Sequence, residues 1–172
     1  MNIFALEVFD DEGEQCTFYT VRWDESSISE TDKFFEKYES DPDFEQPIEE
    51  LAVFITRKIG DEEGALEEFF RFENDAQALP PTGRHKIGEI TINYGNFPLR
   101  LYCLRLSDSL VVLFNGGEKS GKTAQGSKTS MAFTEANRFA KRILQALQEK
   151  ELSISEDGRT FRNFDDNKEI IL

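Results

Sequence analysis

The sequence is short of several things, and each shortage excludes a class of protein. Among 172 residues there are two cysteines, Cys16 and Cys103. They form no CxxC pair and no zinc-ligand spacing, so neither a disulfide framework nor a structural zinc is expected. Both are read as buried thiols. Histidine occurs once, at His85. A Ser-His-Asp or Cys-His centre would have to use it, and nothing around it has that form, so it is read as a surface residue. No apolar run approaches the roughly 18 residues that a membrane span needs. The opening stretch, MNIFALEVFDDEGEQ, turns acidic within ten positions, unlike a signal or transit peptide. A cytosolic protein with no membrane contact is the expectation. No internal repeat is present.

What the chain does have is aromatic residues and unevenly placed charge. Sixteen phenylalanines argue against disorder, and the length suits one domain with a core of its own. The formal net charge is −14. Residues 1–79 carry 6 basic and 23 acidic side chains, residues 80–150 carry 11 and 5, and residues 151–172 carry 3 and 6. An acidic strand and helix part is thus followed by a basic middle and a short acidic tail. That asymmetry points to an anion-binding region on a chain otherwise repelled by nucleic acid.

Periodicity gives the elements. Residues 2–9 and 15–23 are aromatic and β-branched around Gly13, which predicts a β-hairpin. Residues 27–39 read as a helix with Ser29 as N-cap, stopped by Asp41 and Pro42. Ile48, Leu51, Ala52, Ile55 and Ile59 recur at helical spacing, so residues 47–59 read as an amphipathic helix ended by Gly60. Residues 64–72 suggest one more short helix, and residues 79–83 a break. Then the period changes. Residues 86–93, 99–106 and 110–114 predict three strands, the last apolar throughout as if covered on both faces. A polar Gly/Lys/Ser segment, 115–129, leads to an amphipathic helix over 135–149 capped by Thr134. Arg138, Lys141 and Arg142 share one side of it. A small hairpin over 153–164 closes the chain. The expected fold is α+β: an N-terminal hairpin and helices, a twisted antiparallel sheet of about three strands, and a C-terminal amphipathic helix.

Residues 116–123 read Gly-Gly-Glu-Lys-Ser-Gly-Lys-Thr and satisfy every fixed position of the phosphate-loop pattern G-x-x-x-x-G-K-[ST]. In a true phosphate loop Lys122 would reach the phosphates and Thr123 would hold Mg²⁺. The context is wrong, because Gly126 and Ser127 break the helix that must follow at once. A flexible basic loop is the better reading, with a small nucleotide-binding protein as one alternative.

Residues 87–143 resemble the RelE/ParE toxin superfamily, closest to its HigB and phage Gp49-like branch. The stretches that carry the likeness are Ile87-Gly88-Glu89-Ile90, Leu99-Arg100-Leu101-Tyr102-Cys103-Leu104-Arg105 and Leu110-Val111-Val112-Leu113-Phe114-Asn115-Gly116-Gly117. They continue with Glu118-Lys119-Ser120-Gly121-Lys122-Thr123 and Phe133-Thr134-Glu135-Ala136-Asn137-Arg138-Phe139-Ala140. The resemblance implies a RelE-like fold, enlarged here, and metal-independent cleavage of mRNA with no cofactor. In that chemistry the ribose 2′-OH attacks the adjacent phosphate while basic side chains neutralise charge. By position it implies catalytic roles for Arg100, Arg105, Lys119 and Lys122, and phosphate contacts for Arg138, Lys141 and Arg142. It implies a cognate antitoxin as partner and RNA or the ribosome as target. Arg100 and Arg105 differ by an odd number, so a regular strand puts them on opposite faces. The family often places a Tyr or His near its C-terminus for acid–base work, and here none follows Tyr102. A second alternative is a non-catalytic interaction module whose acidic surface binds a basic partner. The acidic residues 30–79 are also expected to cover the basic middle.

Overall fold

The computed structural model describes residues 3–72, 74–119, 128–163 and 169–172. β1 (Phe4–Asp10) and β2 (Thr17–Trp23) form the expected antiparallel hairpin, and their alternation buries side chains on both faces. α1 (Glu30–Glu39) begins where the sequence says it should. Ser29 caps it, its Oγ accepting from the Asp32 N–H at 3.0 Å, with Glu30 and Asp32 in the first turn.

α2 (Glu45–Val53) starts just before Pro47 and does not stop at Gly60. It widens into π-helical turns over Phe54–Glu63, closed by the Gly64 N–H on the Ile59 carbonyl. The cause is a neighbour. The Gly60 carbonyl is turned outward to accept from the N–H groups of Gln15 and Cys16, at 2.7 and 3.1 Å. Gly13 approaches so closely that a Cβ there would collide with the Gly60 backbone. The β1–β2 loop therefore docks on the widened turn.

The expected short helix over 64–72 is a single 3₁₀ turn, Glu67–Phe69. It leads into β3 (Arg71–Phe72), which pairs with β4 (Gln77–Leu79). β5 (Arg84–Ile87) and β6 (Ile90–Asn93) make a separate hairpin, where one strand over 86–93 was expected. Gly88, with φ +61°, supplies its turn. β7 (Leu99–Ser107) and β8 (Leu110–Glu118) form a long hairpin, and α3 (Lys128–Gln148) begins several residues before Thr134. β9 (Leu152–Ile154) and β10 (Phe161–Asn163) form the expected small hairpin. β11 (Ile170–Ile171) returns to pair with β1.

The fold is α+β, but the expectation of about three antiparallel strands fails. The main sheet has seven strands in the order β11-β1-β2-β8-β7-β4-β3. It is mixed, because β2 and β8 run parallel in its centre while the other neighbours are antiparallel. The N-terminal hairpin, expected outside the three-strand sheet, is fused to the β7–β8 hairpin through that seam. Strands of two or three residues, such as β3, β4 and β11, are too short to show a period.

Each face of the sheet carries its own core. Phe18, Leu101, Cys103, Val111 and Leu113 face α1, α2 and the π-helical turns, where Phe34, Tyr38, Leu51, Phe54 and Ile59 are buried. Tyr19, Val21, Tyr102, Val112 and Phe114 face α3, against Ala136, Phe139, Ala140 and Ile143. Residues 30–79 thus contribute to both cores and to the sheet edge rather than forming a removable cover. His85, expected at the surface, is half-buried with its ring edge-on to Phe54 and Phe69, and its Nε2 lies 3.0 Å from the Thr82 carbonyl oxygen.

Both cysteines are buried as expected, with no measurable exposure. Burial pushes the Cys16 thiol up to about 12, with Arg159 pulling weakly the other way, and burial alone raises Cys103. Because the thiolate is the reactive form, neither cysteine is expected to react with a disulfide reagent such as DTNB at neutral pH. Both should react once the chain is unfolded in denaturant. Rapid labelling of the native protein would contradict this burial.

Candidate functional site

The central seam creates the site. β2 leads into α1 on one face of the sheet, and the chain leaving β8 returns as α3 on the other. Where neighbouring parallel strands send their connections to opposite faces, a crevice opens at their carboxyl ends. Here it is a cavity of about 270 Å³ lined by Glu30, Lys33 and Lys37 of α1, Asn115 and Gly116 of β8, and Glu135 of α3.

Hydrogen bonds fix the walls. The Thr31 hydroxyl donates to the Phe114 carbonyl at 2.9 Å and lies 2.6 Å from the Thr20 hydroxyl, which ties the first turn of α1 to the seam. Glu30 is buried, with Lys33 Nζ at 2.7 Å from Oε2 and Asn115 Nδ2 donating to Oε1 at 3.3 Å. Asn115 Oδ1 accepts from the Gly116 N–H at 2.7 Å, which holds the amide in place. Across the crevice, Glu135 Oε1 accepts from Trp23 Nε1 at 3.2 Å, and Glu30 lines the same crevice. Desolvation raises the Glu135 pKa above the ordinary glutamate range. The Trp23 hydrogen bond opposes that shift and the facing Glu30 adds to it. A carboxyl with a raised pKa, beside a second carboxyl and two ammonium groups, can donate or accept a proton.

The residues singled out from sequence are distributed along β7, β8 and α3. Arg100 and Lys119 come together at the open end of the β7–β8 hairpin. Arg100 lies opposite Gly117, and the Lys119 N–H donates to the Pro98 carbonyl at 2.7 Å. The Arg100 guanidinium donates to the carbonyls of Phe97 and Leu99, which braces the strand end, while the Lys119 side chain is exposed. Arg105 is about 17 Å further along the strand, at its closed end. It donates to the Ala65 carbonyl at 2.6 Å and pairs with Asp108 and Glu67. Its partner Ala65 belongs to the α1–α2 core, whereas the even-numbered neighbours Tyr102 and Leu104 face α3, in keeping with the parity argument. On α3, Arg138 is exposed, Lys141 pairs with Asp75 at 3.9 Å, and Arg142 pairs with Glu151 at 3.1 Å. Two carboxylates of the acidic front, Glu67 and Asp75, therefore do lie on basic side chains of the middle. Lys122 lies outside the described residues.

Gly116–Glu118, the first three positions of the phosphate-loop pattern, are extended and paired with β7, so they do not curl around a phosphate. Sequence reasoning placed Glu135 only in the stretch that carries the family resemblance and gave Glu30 no site role. Nothing in a linear pattern links two acids more than a hundred positions apart. Among the described residues, no helix is long and apolar enough to cross a membrane. No family model matches the chain, and no curated protein or solved structure does so either.

Proposed function

We propose that the chain is a RelE/ParE-like protein that cleaves RNA without a metal, at the open end of the β7–β8 hairpin. One observation carries this reading. Arg100 and Lys119, picked out from sequence as phosphate-handling groups, meet at the strand end beside the crevice that holds Lys33, Lys37 and the Glu30–Glu135 pair. Arg100, which donates to backbone carbonyls, sets the strand end, and the exposed Lys119 neutralises a phosphate in the transition state. The carboxyl pair supplies the acid–base function that the sequence lacks in Tyr or His after Tyr102. On this reading the protein works in the cytosol, on RNA or the ribosome, under a cognate antitoxin.

The test is induced expression in a bacterial host, followed by incubation of the purified protein with RNA in excess chelator. Growth arrest is expected, together with fragments ending in 2′,3′-cyclic phosphate. Lys119→Ala is expected to slow cleavage about 100-fold, the usual loss for one transition-state charge donor. Unchanged cleavage by the variant, or intact RNA with no arrest from folded wild type, would sink the reading.

A further inference from the structure

Several cations of this fold are committed to internal partners, and those on the outer face of the β5–β6 hairpin are not. Arg100 and Arg105 donate to backbone carbonyls, and Lys58 pairs with Glu63 and donates to the Lys86 carbonyl at 2.6 Å. Arg84 and Lys86 stand two positions apart on β5, so both side chains leave the same face of the hairpin. Their cross-strand neighbours are Asn93 and Thr91. All four are exposed, and no acid interrupts the set. Neither cation has an ion-pair partner among the described residues. On a chain of net charge −14, this is a surface that a polyanion can approach. We propose that the outer face of the β5–β6 hairpin is an RNA-backbone contact, in which Arg84 and Lys86 hold successive phosphates of the strand whose reacting phosphate lies at Lys119. The inference rests on the RNA reading for its partner, and its test involves no cleavage.

The inner face of the hairpin is anchored, which fixes where the two cations stand. Ile87 is fully buried, the His85 ring is edge-on to Phe54 and Phe69, and Lys58 holds the Lys86 carbonyl. With one face packed on the core, the ribbon cannot enter a groove and presents a flat outer surface instead. Two residues of strand span about 7 Å, the scale of the step between phosphates along a nucleic acid strand. Acids lie at the turn of the hairpin. They are Glu89, and Glu62, whose carboxylate accepts from the Gly88 N–H at 3.2 Å while the Arg57 guanidinium lies against the same glycine. The opposite end leads to Lys119. The Tyr94 N–H donates to the Gly83 carbonyl at 2.8 Å, next to Arg84, and the Tyr94 ring meets Phe97 at 5.5 Å. Phe97 and Pro98 then offer their carbonyls to Arg100 and to the Lys119 N–H. A strand bound at Lys119 therefore reaches Arg84 before Lys86.

The full chain would be titrated into a fluorescein-labelled single-stranded oligonucleotide of 2′-O-methyl RNA, which has no 2′-OH to attack. Anisotropy would be read over a range of salt concentrations. Each phosphate neutralised on a single strand contributes about 0.7 to the slope of log affinity against log salt. Arg84→Gln and Lys86→Gln are each expected to lower that slope by about 0.7 and to bind about fivefold more weakly at ~0.1 M salt. Lys150→Gln removes the same charge from an exposed position just beyond α3 and should bind as the wild type does. All three variants should keep the wild-type melting temperature, because the side chains are exposed. Wild-type affinity and slope in both Arg84→Gln and Lys86→Gln would overturn the inference, as would a wild type that does not bind the oligonucleotide. An equal loss in Lys150→Gln would mean an effect of net charge only and would also overturn it. Labelled polyglutamate bound as tightly as the oligonucleotide would mean a surface for acidic proteins, with the same result. If RNA were left uncut by the wild type while the two hairpin substitutions still weakened binding, the cleavage reading would fall and the contact would stand. If RNA were cut and neither substitution changed binding, the contact would fall and the cleavage reading would stand.

Discussion

Phe139→Ala is expected to destabilise the protein by about 3–5 kcal/mol, the usual loss for a fully buried aromatic, and so to lower the melting temperature by about 10 °C or more. Phe139 is 2% exposed and sits where α3 meets the sheet. Its ring contacts Phe4 edge-on at 4.9 Å, Trp23 at 4.7 Å and Phe114 in a stacked arrangement at 5.4 Å. These three partners come from β1, the end of β2 and β8, so one side chain joins the two hairpins and the helix on that face. Truncation leaves a cavity that rigid strand backbones cannot close. The measurement is thermal unfolding, followed by circular dichroism so that altered Trp23 emission does not distort the curve. A loss below about 1 kcal/mol would mean that the α3 face repacks freely and is not the close-packed core described here.

Gly116→Ala is the second large effect, with an expected loss of about 1–3 kcal/mol or more from overpacking. A Cβ on Gly116 would fall inside the contact radius of the Arg100 carbonyl oxygen and 2.9 Å from Leu101 Cα. Both are backbone atoms of the neighbouring strand, which cannot swing aside as a flexible side chain can. Relief requires the end of β8 to separate from β7, the region that places Arg100 and Lys119. The variant should therefore lose stability and Lys119-dependent activity together, whereas Lys119→Ala should lose activity alone. Measuring both properties on both variants separates the two causes. Native stability in Gly116→Ala would show that the strands part there at no cost. The first glycine of the phosphate-loop pattern thus has a reason for being glycine that involves no nucleotide.

Local structure was legible in the sequence and assembly was not. The Ser29 cap, the β1–β2 hairpin and the apolar face of α3 depend on neighbours within a few positions, and the sequence displays them. The π-helical turns depend on Gly13 meeting Gly60, a contact between residues that share no periodic pattern. The seven-stranded sheet depends on β2 lying beside β8, which the alternation of either strand leaves open. The site divides the same way. Arg100 stands on β7 and Lys119 directly follows β8 in the same hairpin, and both were singled out from sequence. Glu30 and Glu135 come from helices on opposite faces of the sheet, and only the completed seam brings them into one crevice.

That seam also orders events in time. Thr17 lies opposite Leu110 and Thr20 opposite Leu113, so the two central strands are 93 positions apart along the chain. The β1–β2 and β7–β8 hairpins can each close within microseconds from local contacts, whereas a join of that span waits for a large loop to close. During synthesis β1–β2 is complete long before β8 has been made, and the inner edge of β2 is then an unsatisfied ladder of backbone groups. α1, α2 and the π-helical turns are made in that interval. The Gly60 carbonyl can meet the Gln15 and Cys16 N–H groups within that first stretch of chain. A folding intermediate built on this early contact would already have one face of β2 covered while its edge waits for β8.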